Sequence, residues 1–130
     1  MSHRDLVFVL PPDSHLISGG NIYNRELTAA VRRQRAIDEV SVAEWQRLVA
    51  SGAAGVFFID TLILEEFLRH VPERPAPGQR FVLVVHHLPS LEPGVDAGDP
   101  SLAVEQEVLP RFDGFLATSP YTAASSPLMK

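Results

Sequence analysis

Two stretches read together decide the fold: Leu6-Val7-Phe8-Val9-Leu10 and Ser18-Gly19-Gly20-Asn21-Ile22-Tyr23. The first is apolar at every position and does not alternate, the pattern of a strand buried on both faces of a parallel sheet. The second opens an amphipathic segment that runs to near Arg33. In that segment Tyr23, Leu27, Ala30 and Val31 fall on one helical face, while Arg25, Arg32 and Arg33 share another, solvated face. A strand, a glycine turn and a helix N-terminus in this order suit an anion. Free backbone N–H groups and the helix dipole both attract negative charge, and glycine lets a ligand come close to the backbone.

The same alternation continues along the chain. Ala36 to Val40 reads as a short, weak strand, and Ser41-Val42-Ala43-Glu44 is a capping box that opens a helix carrying Val42, Trp45, Leu48 and Val49 on one side. Gly52 and Gly55 end it. Gly55-Val56-Phe57-Phe58-Ile59-Asp60 is a buried strand closed by an acid, and Thr61 to Val71 is helical. Pro72 to Gln79 is a surface connection. Phe81-Val82-Leu83-Val84-Val85 is the strongest strand and ends in His86-His87. After a long loop, Leu88 to Gly98, the pair Asp99-Pro100 marks a helix start. Gly114 to Thr118 is a fifth strand, and Ser119-Pro120 predicts a last helix from Tyr121.

Five apolar strands separated by amphipathic helices predict a three-layer, doubly wound α/β domain with a mostly parallel sheet, spanning 1–130 as one unit. The expected strand order is 3-2-1-4-5. Ligands of such sheets bind beyond the carboxyl ends of the strands, at the point where the order reverses. That order brings the Pro11 to Gly20 loop and the His86-His87 turn together, with Asp60 and Ser119 on the same rim but further from the crevice.

Composition narrows the function. The chain has 130 residues, a net charge of −5 and no cysteine. The acidic balance argues against a nucleic-acid or anionic-membrane surface, and the absence of cysteine removes thiolate and disulfide chemistry. Neither a signal peptide nor an apolar run of ~18 residues, the length of a membrane span, is present in the sequence, so a cytoplasmic location is expected. The 11 prolines cluster between periodic segments as loop punctuation.

The candidate site is weighed against known motifs. Gly19-Gly20 lacks the three spaced glycines of a dinucleotide fingerprint, and no Gly-Lys-Ser/Thr is present for a phosphate-binding P-loop. His15, His86 and Asp60 match no metal-ligand spacing, and no metal or cofactor is expected. A phosphoacceptor receiver arrangement needs paired acids after the first strand and a lysine after the fifth. Leu10-Pro11-Pro12 and Ser119-Pro120 stand there instead. In an extended backbone His86 and His87 point to opposite sides, and either can face the crevice.

Three stretches resemble a known family. Gly19-Gly20-Asn21-Ile22-Tyr23-Asn24-Arg25-Glu26-Leu27 resembles the glycine turn and first helix of the retaining GT-B glycosyltransferases. Val84-Val85-His86-His87 resembles the histidine-bearing strand end of their N-terminal, Rossmann-like domain. The stretch from Glu107 to Ser119 resembles its helix, acidic-glycine turn and strand before a capping serine. The resemblance implies that Gly19 and Gly20 lie beside the diphosphate of a nucleotide-sugar donor. It implies that His86 or His87 contacts the donor sugar and the reacting centre, and that His15 and Asn21 shape the acceptor side. It covers only the first of that family's two domains. The second carries most nucleotide contacts and a basic pair, and Lys130 is the only lysine here. The chain is therefore expected to be inactive alone, to need a C-terminal Rossmann-like domain, and to be able to pair with itself through the exposed interdomain face. The alternative is a stand-alone ligand-binding or interaction module without catalysis.

Overall fold

The computed structural model describes residues 6–12, 19–86 and 98–117. Five strands form one all-parallel sheet: β1 (Leu6–Leu10), β2 (Asp38–Ser41), β3 (Gly55–Asp60), β4 (Gln79–Val85) and β5 (Gly114–Ala117). Four helices connect them: α1 (Gly19–Arg32), α2 (Val42–Ala50), α3 (Leu64–His70) and α4 (Pro100–Val108). The expected α/β class and parallel sheet are observed, and the architecture is Rossmann-like. The predicted helix from Tyr121 lies outside the described residues.

The strand order is 2-1-3-4-5 and not the expected 3-2-1-4-5. Burial gives the reason. Val40 is the one buried residue of β2, so this strand loses little at the edge of the sheet. β3 carries Val56, Phe57, Phe58 and Ile59 and needs neighbours on both sides. The expected order would have put β3 at the edge and β2 inside. Order reversal therefore falls between β1 and β3, and β3 separates β1 from β4.

Local chemistry sets the joints. The Ser41 hydroxyl accepts from the Glu44 N–H at 3.1 Å, so the last residue of β2 is also the cap of α2, and no loop separates them. Gly52 ends α2 at φ 76°. Asp60 Oδ1 accepts from the Leu62 N–H at 2.8 Å and caps a short 3-10 turn, Thr61–Ile63, ahead of α3. The segment expected to be one helix from Thr61 is thus a tight turn followed by a helix. At the start of β5 the Phe81 N–H donates to the Asp113 carboxylate and the Asp113 N–H donates to Phe81 O, both at 2.8 Å.

Alternation sorts the core into two layers. In β1, β3, β4 and β5 the odd-numbered residues Val7, Val9, Phe57, Ile59, Phe81, Leu83, Val85 and Phe115 face α2, α3 and α4, where they meet Trp45, Val49, Phe67 and Val108. The even-numbered residues Phe8, Phe58, Val84 and Leu116 face the opposite side and pack with Tyr23, Leu27 and Val31 of α1. Aromatic rings concentrate in the first layer. Phe81 stacks on Phe57 with centroids 5.5 Å apart and meets Phe67 edge-on at 5.2 Å. The Arg111 guanidinium lies 5.4 Å from the Phe67 ring and donates to Val71 O.

The amino end of the sheet is closed by backbone and amide contacts. Gln79 donates from Nε2 to Ala53 O at 3.0 Å and to Val49 O at 3.4 Å, and its Oε1 accepts from the Ala76 N–H. Gly78, at φ 86°, passes so close to Ala54 that an added Cβ would sit 3.0 Å from the Ala54 Cβ. Phe81→Ala leaves a cavity at the aromatic cluster and lowers unfolding free energy by about 3–5 kcal/mol, whereas Gly78→Ala costs about 1–2 kcal/mol through its left-handed backbone. Urea titration followed by Trp45 fluorescence reads both values.

Candidate functional site

The carboxyl-end rim holds a polar cluster built from three elements. Asp60 ends β3, and its Cα pairs with Val84 of β4. His86 lies two residues beyond Val84. Both are even-numbered, so the alternation that aims Phe58 and Val84 at α1 also aims Asp60 and His86 there. The second turn of α1 supplies Tyr23 and Asn24.

The geometry is tight. His86 Nε2 is 2.9 Å from Asn24 Oδ1 and 3.2 Å from Asp60 Oδ2. Asn24 Nδ2 donates to the same Asp60 oxygen at 2.8 Å. The Tyr23 and His86 rings meet edge-on, with centroids 5.4 Å apart. Thr28 back-bonds through its hydroxyl to Asn24 O and Arg25 O, each at 3.1 Å, one turn further along α1. The Asp60 side chain is 1% exposed and that of His86 15%, so the acid is sealed in and the imidazole sits at the surface of the cluster.

Burial alone would push the Asp60 carboxyl up. The hydrogen bonds from His86, Asn24 and the Leu62 N–H, with the electrostatic pull of His86, outweigh it and hold the carboxyl below its ordinary value of 3.8. Asp60 is therefore an anion at neutral pH. Among the described residues no three His, Asp or Glu side chains stand close enough to hold a metal ion.

The structure places some of the residues read from the sequence and leaves others outside the described residues. Gly19 and Gly20 form the start of α1 itself rather than a turn before it, and Asn21 follows in the same first turn. Helical backbone is open to any residue, so glycine contributes there the absence of a side chain beside the first unpaired N–H groups. His86 faces α1. His15, His87 and Ser119 lie outside the described residues. Asp60, expected further from the crevice, stands at its centre, because β3 and not β4 neighbours β1. Ala30, expected on the buried face of α1, is exposed, whereas Arg25, Arg32 and Arg33 lie on the solvated side as expected, Arg32 also bonding Glu39 at 3.1 Å.

Asn24 and Thr28, 4% and 3% exposed, went unread in the sequence. Their signal was spacing. They lie four residues apart, each one position after an apolar residue of the sheet-facing stripe, where a helix side chain points inward.

Two large apolar side chains stand exposed on this rim: Ile22 in the first turn of α1, 44% exposed, and Leu62 just after Asp60, 71% exposed. No helix among the described residues is long and apolar enough to cross a membrane. The fold is Rossmann-like, and the polar cluster lies at the carboxyl-end rim of its sheet. Comparison with family models, with characterised proteins and with solved structures finds no match to this chain.

Asp60 stabilises the fold fully above its unfolded value near 3.8, and this contribution is lost as pH falls through the lower folded value. Asp60→Asn lowers unfolding free energy by about 2–4 kcal/mol at about pH 7. Between about pH 5 and pH 2 the urea midpoint of the variant falls less steeply than that of the wild-type chain, because the group that must be protonated is gone.

Proposed function

We propose that this chain is the acceptor-side, N-terminal domain of a nucleotide-sugar-dependent glycosyltransferase of the retaining GT-B kind. The observation that carries the reading is the meeting of α1 with His86. The glycine-led helix and the histidine strand end are separate parts of the sequence resemblance, and they come together through Tyr23 and Asn24 at the rim where doubly wound sheets bind ligands.

In this reading the Gly19 and Gly20 N–H groups hold the donor diphosphate at the positive end of α1. His86 touches the donor sugar near the reacting centre, and His15 and Asn21 shape the acceptor side. His87 is the alternative for the role of His86. Catalysis is positioning plus stabilisation of charge developing on the departing phosphate oxygens, so no resident metal is needed. A second Rossmann-like domain closes over the rim and brings the basic pair for the diphosphate. The exposed Ile22 of α1 and Leu62 after β3 offer apolar surface to such a cover. A second copy of the chain is the substitute cover when that domain is absent. The reaction belongs in the cytoplasm, where nucleotide sugars are available to a chain without cysteine.

The test is amide and histidine NMR of the labelled chain titrated with UDP-glucose, GDP-mannose and ADP-glucose to millimolar concentration. At least one donor is expected to move the Gly19 and Gly20 amides together with the His86 ring, with no sugar transfer by the chain alone. Gly20→Val is expected to weaken that binding at least about tenfold, or about 1.4 kcal/mol. Binding unchanged by Gly20→Val, or no response at the rim to any donor, removes the proposal and leaves a module without transferase chemistry.

A further inference from the structure

The two faces of the sheet are unequally covered. On one face α2, α3 and α4 seal Phe57, Ile59, Phe81, Leu83 and Val85, none of them more than 1% exposed. On the other, α1 is the only helix among the described residues that packs against the strands. Five strands about 4.8 Å apart make a floor about 19 Å wide, and one helix about 10 Å across covers half of it. The other half can be followed along one row. Phe8, Phe58, Val82 and Gly114 are partners across β1, β3, β4 and β5. Phe8, beneath α1, is sealed, whereas Phe58 and Val82 are half-buried and Gly114 carries no side chain. Val56 and Leu116, on the same face, are half-buried as well. A strip of apolar floor as wide as one more helix therefore lies beside α1.

The sequence contains a segment suited to this strip. Residues 118–130 follow directly on β5, whose neighbour β4 carries Val82. They are apolar at Tyr121, Ala123, Ala124, Leu128 and Met129 and include a single charged residue, Lys130. The other candidates from this chain fit worse. Residues 1–5 and 13–18 are too short to fill the strip, and 87–97 brings Glu92 and Asp96. A helix of ten residues measures about 15 Å, close to the length of about 17 Å for a strand of five. An apolar stretch of that size gains by leaving water for an apolar floor within its reach. We propose that residues 119–130 seat on this strip, beside α1 and over Val56, Phe58 and Val82, with Tyr121 and Leu128 as the apolar anchors. Docking there completes the lighter layer, supports α1 along the side nearer β4, and closes the strip to a second copy or a partner helix. It does not rest on the glycosyltransferase reading.

The chain has no cysteine, so a nitroxide on Ser125→Cys is a unique label in the full chain. Methyl NMR is expected to show loss of the Val56 and Val82 signals beside the label. Leu48 of α2 and Leu68 of α3, which pack on the opposite face, are expected to keep theirs. Without a nitroxide, Tyr121→Asp and Leu128→Asp are each expected to shift the Val56 and Val82 methyls and to leave those of Leu48 and Leu68 in place. This second readout is free of any disturbance by the label. When nitroxide-bearing chain is mixed with isotope-labelled chain that has none, the Val56 and Val82 signals are expected to survive. Their loss in the mixture means that the strip takes a second copy, and overturns the proposal. Val56 and Val82 methyls untouched by the aspartates overturn it as well, and so does a nitroxide that silences Leu48 and Leu68 instead.

Discussion

A carboxylate withdrawn from water must have its oxygens hydrogen-bonded, and Asp60 meets that demand by drawing on three parts of the chain. The Leu62 N–H turns the backbone sharply at the end of β3, Asn24 anchors α1, and His86 fixes the chain as it leaves β4. One buried anion thus sets where α1 sits over the sheet and where the histidine stops. Replacing it with an apolar side chain would leave the Asn24 amide group without its acceptor and the imidazole with the Asn24 oxygen alone. The interaction is costly to bury and more costly to break, so its worth lies in the single arrangement it permits.

Much of the fold was legible because the strands announce themselves. Leu6 to Leu10 and Phe81 to Val85 are apolar throughout, and the Ser41 cap and the Asp99-Pro100 pair mark helix starts that the structure keeps. Strand order was not legible, since the alternation of strands and helices gave 3-2-1-4-5 and the sheet is ordered 2-1-3-4-5. Nor was the choice between His86 and His87. A strand apolar on both faces hides its parity, and nothing in Val82-Leu83-Val84-Val85 says which residues look toward α1. Once α1 is known to pack on Phe8 and Val84, two residues onward gives His86. The part of Asp60 was hidden for the same reason, since its neighbour across the sheet depends on an order that periodicity does not contain.

The two faces of the sheet carry different work. The face under α2, α3 and α4 holds the larger aromatic cluster, from Trp45 through Phe57, Phe67 and Phe81 to Phe112, and is the main reservoir of burial. The face under α1 has the smaller core of Phe8, Ile37 and Val84. Polar side chains are tolerated on the lighter face near its carboxyl end because Asn24, Thr28, Asp60 and His86 bond one another or nearby backbone. The polar cluster is thereby built where packing demands least, and the heavier layer keeps the strand ends in register beneath it.

The stitching by Gln79 at the amino end of the sheet has an architectural consequence. Gln79 and Gly78 bind the turn after α2 to the turn before β4, so the lower ends of β3 and β4 are clamped independently of anything above the rim. Such a frame behaves as a chassis: its lower end holds β3 and β4 in register through side-chain and backbone contacts of its own, so changes made at the carboxyl-end rim need not disturb it.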